Sequence, residues 1–215
     1  MTYVSWATYY EGEGDAAYYD LLIPRVMEEV IGNRGVRHSD IALSPSIRLK
    51  RGTVAEVADE ACRLKEAFHL VFIHADTGGR GVQVHLHSRL SAYCETMHSR
   101  CAWQPERCIT IAPRHETEAW ILADVVAVAR ALGYREPQTE WNLPDDAVQA
   151  ERLSDPKKVL SNAIDQARGR RRAVGVHQLF PAIAQRQDLA RLRIAPSFRA
   201  FEAQLIDALA NLGCI

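Results

Sequence analysis

The 215-residue chain lacks any apolar run long enough to span a bilayer, which argues against a membrane-spanning protein. It has no G-x-x-x-x-G-K-[ST] loop, so nucleotide binding by that route is excluded. It has neither a G-x-S-x-G elbow nor a cysteine whose neighbours mark it as a nucleophile. It lacks a C-x-x-C pair as well. Cys94, His98, Cys101 and Cys108, with His85 and His87 upstream, supply metal-ligand residue types, but structural zinc sites usually carry that closer spacing. Buried thiols and surface histidines are therefore the expectation. A formal net charge of -1 argues against polycation-like binding to nucleic acid, while leaving room for a local basic patch. The first fifteen residues read as a strand followed by acids, not as an export signal, so the expected compartment is the cytoplasm. In that compartment the five cysteines are expected as reduced thiols.

What is present is 47% hydrophobic content, enough for a real core, in one α/β domain with an appendage. Tyr3 to Tyr10 is aromatic and β-branched and ends at glycine-bearing acids, which predicts a strand. Asp15 is a candidate N-cap for a helix from about Ala16 to Ile31, closed by Gly32-Asn33. A short strand is expected at Ile41 to Leu43, a one-faced helix at Thr53 to Phe68, and a strand buried on both faces at Leu70 to Ile73. His85 to His98 predicts a helix, Cys108 to Ala112 a strand, and Ala119 to Leu132 a helix stopped by Gly133. This alternation predicts a mostly parallel, twisted sheet of about four strands with helices on both faces, over residues 1–133. Residues 134–215 read as a loop and then helices near Pro156 to Ala167, Phe180 to Leu192 and Phe198 to Leu212: a helical annex packed on the core.

Three acidic clusters fall where strands end. Glu11-Gly12-Glu13-Gly14-Asp15 follows the first strand, His74-Ala75-Asp76 the buried one, and Glu116-Thr117-Glu118 follows Ile109 to Ala112. Each alone is explained by a turn or by the preference of carboxylates for helix N-termini. Three together, at the strand ends where open parallel sheets bind ligands, point to an oxygen-rich pocket for Mg²⁺ or Mn²⁺. His74 falls on the same side of its strand as Asp76, since side chains alternate. Arg80, in the glycine-bearing loop after Asp76, is placed to reach a phosphate. Glu116, Trp120 and Asp124 share one face if the helix is continuous, and Arg114 is the nearest candidate partner for Asp124. Arg168, Arg170, Arg171 and Arg172 form the densest basic run, with Lys157 and Lys158 one helix earlier. Either a solvated helix end or contact with a phosphate backbone accounts for them.

The glutamate after the first strand and the later strand ending at Asp76 resemble the TOPRIM fold of topoisomerases, primases and OLD-family nucleases. Three segments resemble an uncharacterised TOPRIM-like domain family found beside AAA-type ATPases in bacterial defence loci: Ile73 to Asp76, Arg114 to Leu122 with its Glu-Ala-Trp, and Leu153 to Leu160 with Asp-Pro-Lys-Lys. The tail Ala195 to Phe201 is also similar to that family's ending.

The resemblance implies a TOPRIM-like fold with Glu11, Asp76 and Glu118, joined by Glu116, as metal-site acids. It implies a Mg²⁺- or Mn²⁺-dependent nuclease acting on DNA or RNA as an antiphage effector, with an AAA-type ATPase as partner. In that reading His74 serves as general base or outer-shell ligand, and Arg80, Arg114 and Lys157 meet phosphate. His74 stands where the pattern has the first Asp of Asp-x-Asp, so a catalytically degenerate regulatory subunit is the alternative. A small-molecule phosphohydrolase is a third reading, and a homodimer is compatible with all three.

Overall fold

A computed structural model describes residues 2–35, 38–168 and 175–215. The first apolar run forms two short strands in line, β1 (Thr2–Val4) and β2 (Trp6–Tyr9), interrupted at Ser5. β3 (Ser39–Ile41) pairs with β1 and β4 (Ile47–Arg48) with β2, both parallel. On the other side of β2 lies β5 (Leu70–His74), then β6 (Cys108–Ile111), again parallel, giving the order β4-β2-β5-β6. The chain leaves β2 towards one edge and returns to build β5 on the opposite side. The order therefore reverses between β2 and β5, the switch point at which open α/β sheets take their ligands.

Alternation along the strands divides the core in two. Trp6, Leu70, Phe72, Ile109 and Ile111 point to one face, and Ala7, Tyr9, Val71, Ile73 and Cys108 to the other. The crossovers are α1 (Glu13–Arg34), α2 (Val54–Arg63), and α3 (Val82–His85) running through a π-helical stretch at Leu86–Leu90 into α4 (Ser91–Cys101). After β6 come α5 (Thr117–Ile121), α6 (Val125–Ala131), α7 (Ala147–Arg152), α8 (Pro156–Arg168), α9 (Phe180–Arg186), α10 (Leu189–Leu192) and α11 (Pro196–Asn211). α1, α5, α9 and α11 bury residues in the first core, and α2 and α4 in the second. The first core runs from Val4 to Leu205 and Cys214, so the C-terminal helices complete it. α11 also covers the outer strand: Gln204 Oε1 accepts from Thr110 N at 3.1 Å and from Thr110 Oγ1 at 2.8 Å, occupying part of an otherwise open edge.

Several local expectations are corrected. α1 begins at Glu13, not after Asp15, because the Asp15 carboxylate turns back onto Gly12 N at 2.8 Å and belongs to the first turn. It continues through Gly32, whose cost of about 1 kcal/mol is outweighed by buried Tyr18, Leu22, Val26 and Val30. The single strand expected at Ile41 to Leu43 is replaced by β3 and β4. The helix expected over Ala119 to Leu132 breaks at a 3₁₀ turn, Leu122–Asp124. Asp124 therefore does not share a face with Glu116: it caps α6 through Val126 N and Ala127 N, accepts from Asp188 N at 2.9 Å, and faces Arg191 at 3.5 Å instead of Arg114. The helix expected over Phe180 to Leu192 parts at Gln187, whose side chain is buried and bonded to the Tyr18 hydroxyl.

The reduced-thiol expectation is also corrected. Cys62 pairs with Cys101 and Cys94 with Cys108, each with Cα atoms 5.7 Å apart, and the buried Cys214 alone is free. These pairs also remove the thiols from the zinc-ligand set. No helix among the described residues is long and apolar enough to cross a membrane.

Candidate functional site

The loops after β2, β5 and β6 meet over the switch point and enclose a cleft of about 540 Å³. Glu11, Glu13, Asp15, Asp76, Glu116 and Glu118 line it, with Arg51, Lys157 and His177 among the other lining residues. Small residues make the approach possible. A Cβ on Gly12 would stand 2.6 Å from Asp15 Oδ2, and one on Gly14 only 2.3 Å from the His177 ring. The β5 and β6 loops are clamped together: His115 N donates to Thr77 Oγ1 at 2.7 Å and Gly78 N to His115 O at 3.3 Å. His115 holds a φ of 68°, a conformation a non-glycine residue adopts only under local constraint.

Beneath the carboxylates lies a buried network. Thr117 Oγ1 donates to Asp15 Oδ1 at 2.7 Å and lies 3.1 Å from Tyr19 OH and 3.3 Å from His74 Nε2. Tyr19 stays protonated because burial, followed by the charge of Asp15, drives its pKa well upward. It therefore donates to Thr117. With the only Thr117 proton given to Asp15, His74 Nε2 must be the donor in its contact. A neutral imidazole then turns the lone pair of Nδ1 towards Asp15 Oδ2, 3.4 Å away, and Nδ1 has no hydrogen-bond partner. Nε2 also lies 3.6 Å from Asp76 Oδ1. The ring has no solvent exposure. Burial holds its pKa below the ordinary histidine value, although Asp15 and Glu11 pull upward.

The carboxylates repel one another. Burial first, then the charges of Asp15, Glu11, Glu118 and Glu116, push Asp76 up to about 7. Burial also raises Glu118 to about 7; a backbone hydrogen bond and Lys157 oppose the rise, while Glu116 and Asp15 add to it. Asp76 Oδ1 and Glu116 Oε2 are both buried without a hydrogen-bond partner. All-oxygen donors, two of them orphaned, fit a hard divalent cation. As they stand, no three His, Cys, Asp or Glu side chains among the described residues are gathered to hold a metal ion. The hydrogen bonds show what occupies them. Glu11 Oε1 is bonded to Arg89 at 2.8 Å and Glu11 Oε2 to Asp76 N at 3.3 Å, while Asp15 is bonded to Gly12 and Thr117.

Of the residues singled out in the sequence, Glu11, Asp76, Glu116, Glu118 and Lys157 line the cleft and His74 lies below it. Arg80 and Arg114 are exposed and are not among the lining residues. Arg168 closes α8, whereas Arg170, Arg171 and Arg172, like the His87 side chain, lie outside the described residues. Sequence reasoning missed Asp15 as a site residue, along with Thr117, Tyr19, Arg89, Arg51 and His177. Asp15 and Tyr19 stand at i and i+4 of one helix, a spacing visible beforehand. Nothing local marked Arg89.

A family model described as a domain of unknown function (DUF4276) matches residues 10–206, and the chain belongs to that family. No curated protein and no solved structure matches it.

Proposed function

We propose that this member of the DUF4276 family is a divalent-metal-dependent phosphodiesterase of nuclease type, with a TOPRIM-like core. The observation that carries the reading is the convergence of six carboxylates from three strand ends at the switch point, with Asp76 and Glu118 both pushed to about 7. Acids so placed are destabilised as anions unless a cation shares the site.

Glu11, Asp76, Glu116 and Glu118 are the residues that would hold Mg²⁺ or Mn²⁺. The ion would supply Lewis-acid stabilisation of a phosphoryl oxygen and an activated water. Thr117 and Tyr19 fix Asp15 from below. His74, wholly buried between Asp15 and Asp76, hydrogen-bonds neither carboxylate directly and acts on Asp15 through Thr117; lacking exposure, it is poorly placed to act as a general base towards water. Lys157 and Arg51 on the cleft lining supply positive charge to a phosphate. Service as an antiphage effector beside an AAA-type ATPase is supported by the resemblance of the Glu-Ala-Trp and Asp-Pro-Lys-Lys segments.

The full burial of His74, where an exposed acid would add a ligand, favours a second reading: a regulatory subunit with a degenerate site. The two separate in one experiment. Double- and single-stranded DNA and tRNA are incubated with Mn²⁺ and wild-type protein or Asp76→Ala, with and without an AAA-type ATPase partner. Cleavage lost in Asp76→Ala supports the nuclease and identifies its substrate. No cleavage under any condition, with melting unchanged by Mn²⁺, selects the regulatory subunit.

A further inference from the structure

Glu11 ends the strand on one side of the switch point, the central position for a metal ligand, yet both its oxygens are engaged by the protein. One partner is a backbone N–H. The other is the guanidinium of Arg89, in the π-helical stretch Leu86–Leu90 between α3 and α4. Such π-turns are rare and recur at functional sites. Glu11 lines the cleft and Arg89, outside its lining, reaches it from beside; the two side chains are 38% and 47% exposed, so the pair is open to solvent and readily exchanged. Among the described residues Glu11 is the one side chain Arg89 bonds, and the remaining N–H groups of its fork are free.

We propose that Arg89 is a substrate-binding residue held in reserve by Glu11. Without a divalent cation the guanidinium is the counter-ion of Glu11. When a cation takes the Glu11 carboxylate, Arg89 is released and its fork engages the non-bridging oxygens of the substrate phosphate. This rests on the metal-dependent phosphodiesterase reading. It assigns opposite signs to one residue: Arg89 competes with the metal and assists the phosphate.

The test measures both in Arg89→Ala and Arg89→Lys. Mn²⁺ affinity is titrated calorimetrically, and binding of a labelled oligonucleotide is followed by anisotropy in Ca²⁺. Arg89→Ala is expected to bind Mn²⁺ about two- to fivefold more tightly, the worth of an exposed ion pair. It should bind the oligonucleotide roughly ten- to a hundredfold more weakly, the worth of a hydrogen bond to a charged group. Arg89→Lys, which keeps the charge without the fork, should recover the Mn²⁺ affinity of the wild type but only part of the oligonucleotide affinity. Unchanged or weaker Mn²⁺ binding by Arg89→Ala, or unchanged oligonucleotide binding, overturns the proposal even where the wild type cleaves nucleic acid. A wild type that binds Mn²⁺ without cleaving defeats the nuclease reading instead, and the Mn²⁺ arm still judges Arg89. A wild type that binds no Mn²⁺ overturns both.

Discussion

The face of the sheet under α1 is closed by Trp6, Phe72, Trp120, Phe198 and Phe201, all essentially without exposure, and by the C-terminal helices. The face under α2 and α4 has a smaller core in which Ala7, Ala58, Val71 and Leu90 pack with Tyr9, Tyr93, Phe68 and Trp103, and there the two disulfides lie, tying α4 to α2 and to β6. The larger aromatic cluster secures one face, and covalent closure supplements the smaller core of the other. The difference carries into the site. Asp15, Thr117, Glu118 and Tyr19 come from helices of the aromatic face, and the alternation along β5 turns His74 to that side with Leu70 and Phe72. Arg89 comes from the helix path of the cross-linked face. The buried half of the site rests on the larger core, and its exchangeable cation on the smaller one.

The sharpest way to break this contrast is to remove the cross-links. By loop closure, bridges spanning 39 and 14 residues stabilise by about 3–4 kcal/mol each. Urea unfolding with and without a dithiol reductant should show a loss of that size, with hydrogen-exchange protection falling in α2 and α4 before α1. Thiol titration of the unfolded, non-reduced chain should find one free thiol, Cys214. Five would remove the contrast altogether.

Next in size is Trp120→Ala, expected to cost about 3–5 kcal/mol from the cavity it leaves in the larger core. Trp120→Phe keeps most of the volume but strips Ser197 of its indole N–H donor at 2.6 Å, in a buried chain that continues to Glu151. It should cost about 1–3 kcal/mol. Leu90→Ala in the smaller core removes a smaller side chain than Trp120→Ala and should cost less, about 2–3 kcal/mol. A Leu90→Ala cost equal to that of Trp120→Ala would mean the faces do not differ as described.

How much of this was legible beforehand depended on range. β5 was readable because Leu70 to Ile73 is a continuous apolar run, and the acids at the ends of β2, β5 and β6 followed from strand order alone. The break at Leu122–Asp124 was not readable: Ala119 to Leu132 has good helical periodicity, and only Asp188 N and Arg191, some sixty residues away, give Asp124 its partners. The disulfides escaped for a similar reason. Spacings of 39 and 14 have no local signature, and pairing was decided by where α4 lands against α2 and β6. Arg89 was invisible because its meaning comes from Glu11, 78 residues earlier.

The smallest effect probes where the faces meet. Asp76 and Glu118 have folded pKa values near 7, above the ordinary carboxylate range of about 4. The native state therefore binds more protons than the unfolded chain. Their favourable contribution is complete below about pH 4 and is lost as pH rises towards 7. Melting temperature should thus carry a downward component between pH 5 and 8. Asp76→Asn should remove part of it and raise the melting point at pH 8. The Asp76 side chain is 40% exposed, which screens the effect to roughly 1 kcal/mol or about 2–4 °C. Mn²⁺ at pH 8 should lift the wild type by a comparable amount and leave Asp76→Asn nearly unmoved, since the same repulsion cannot be relieved twice. If instead Asp76→Asn melts lower than wild type at pH 8, the carboxylate is stabilising as an anion. The repulsion that motivates a shared cation would then be absent.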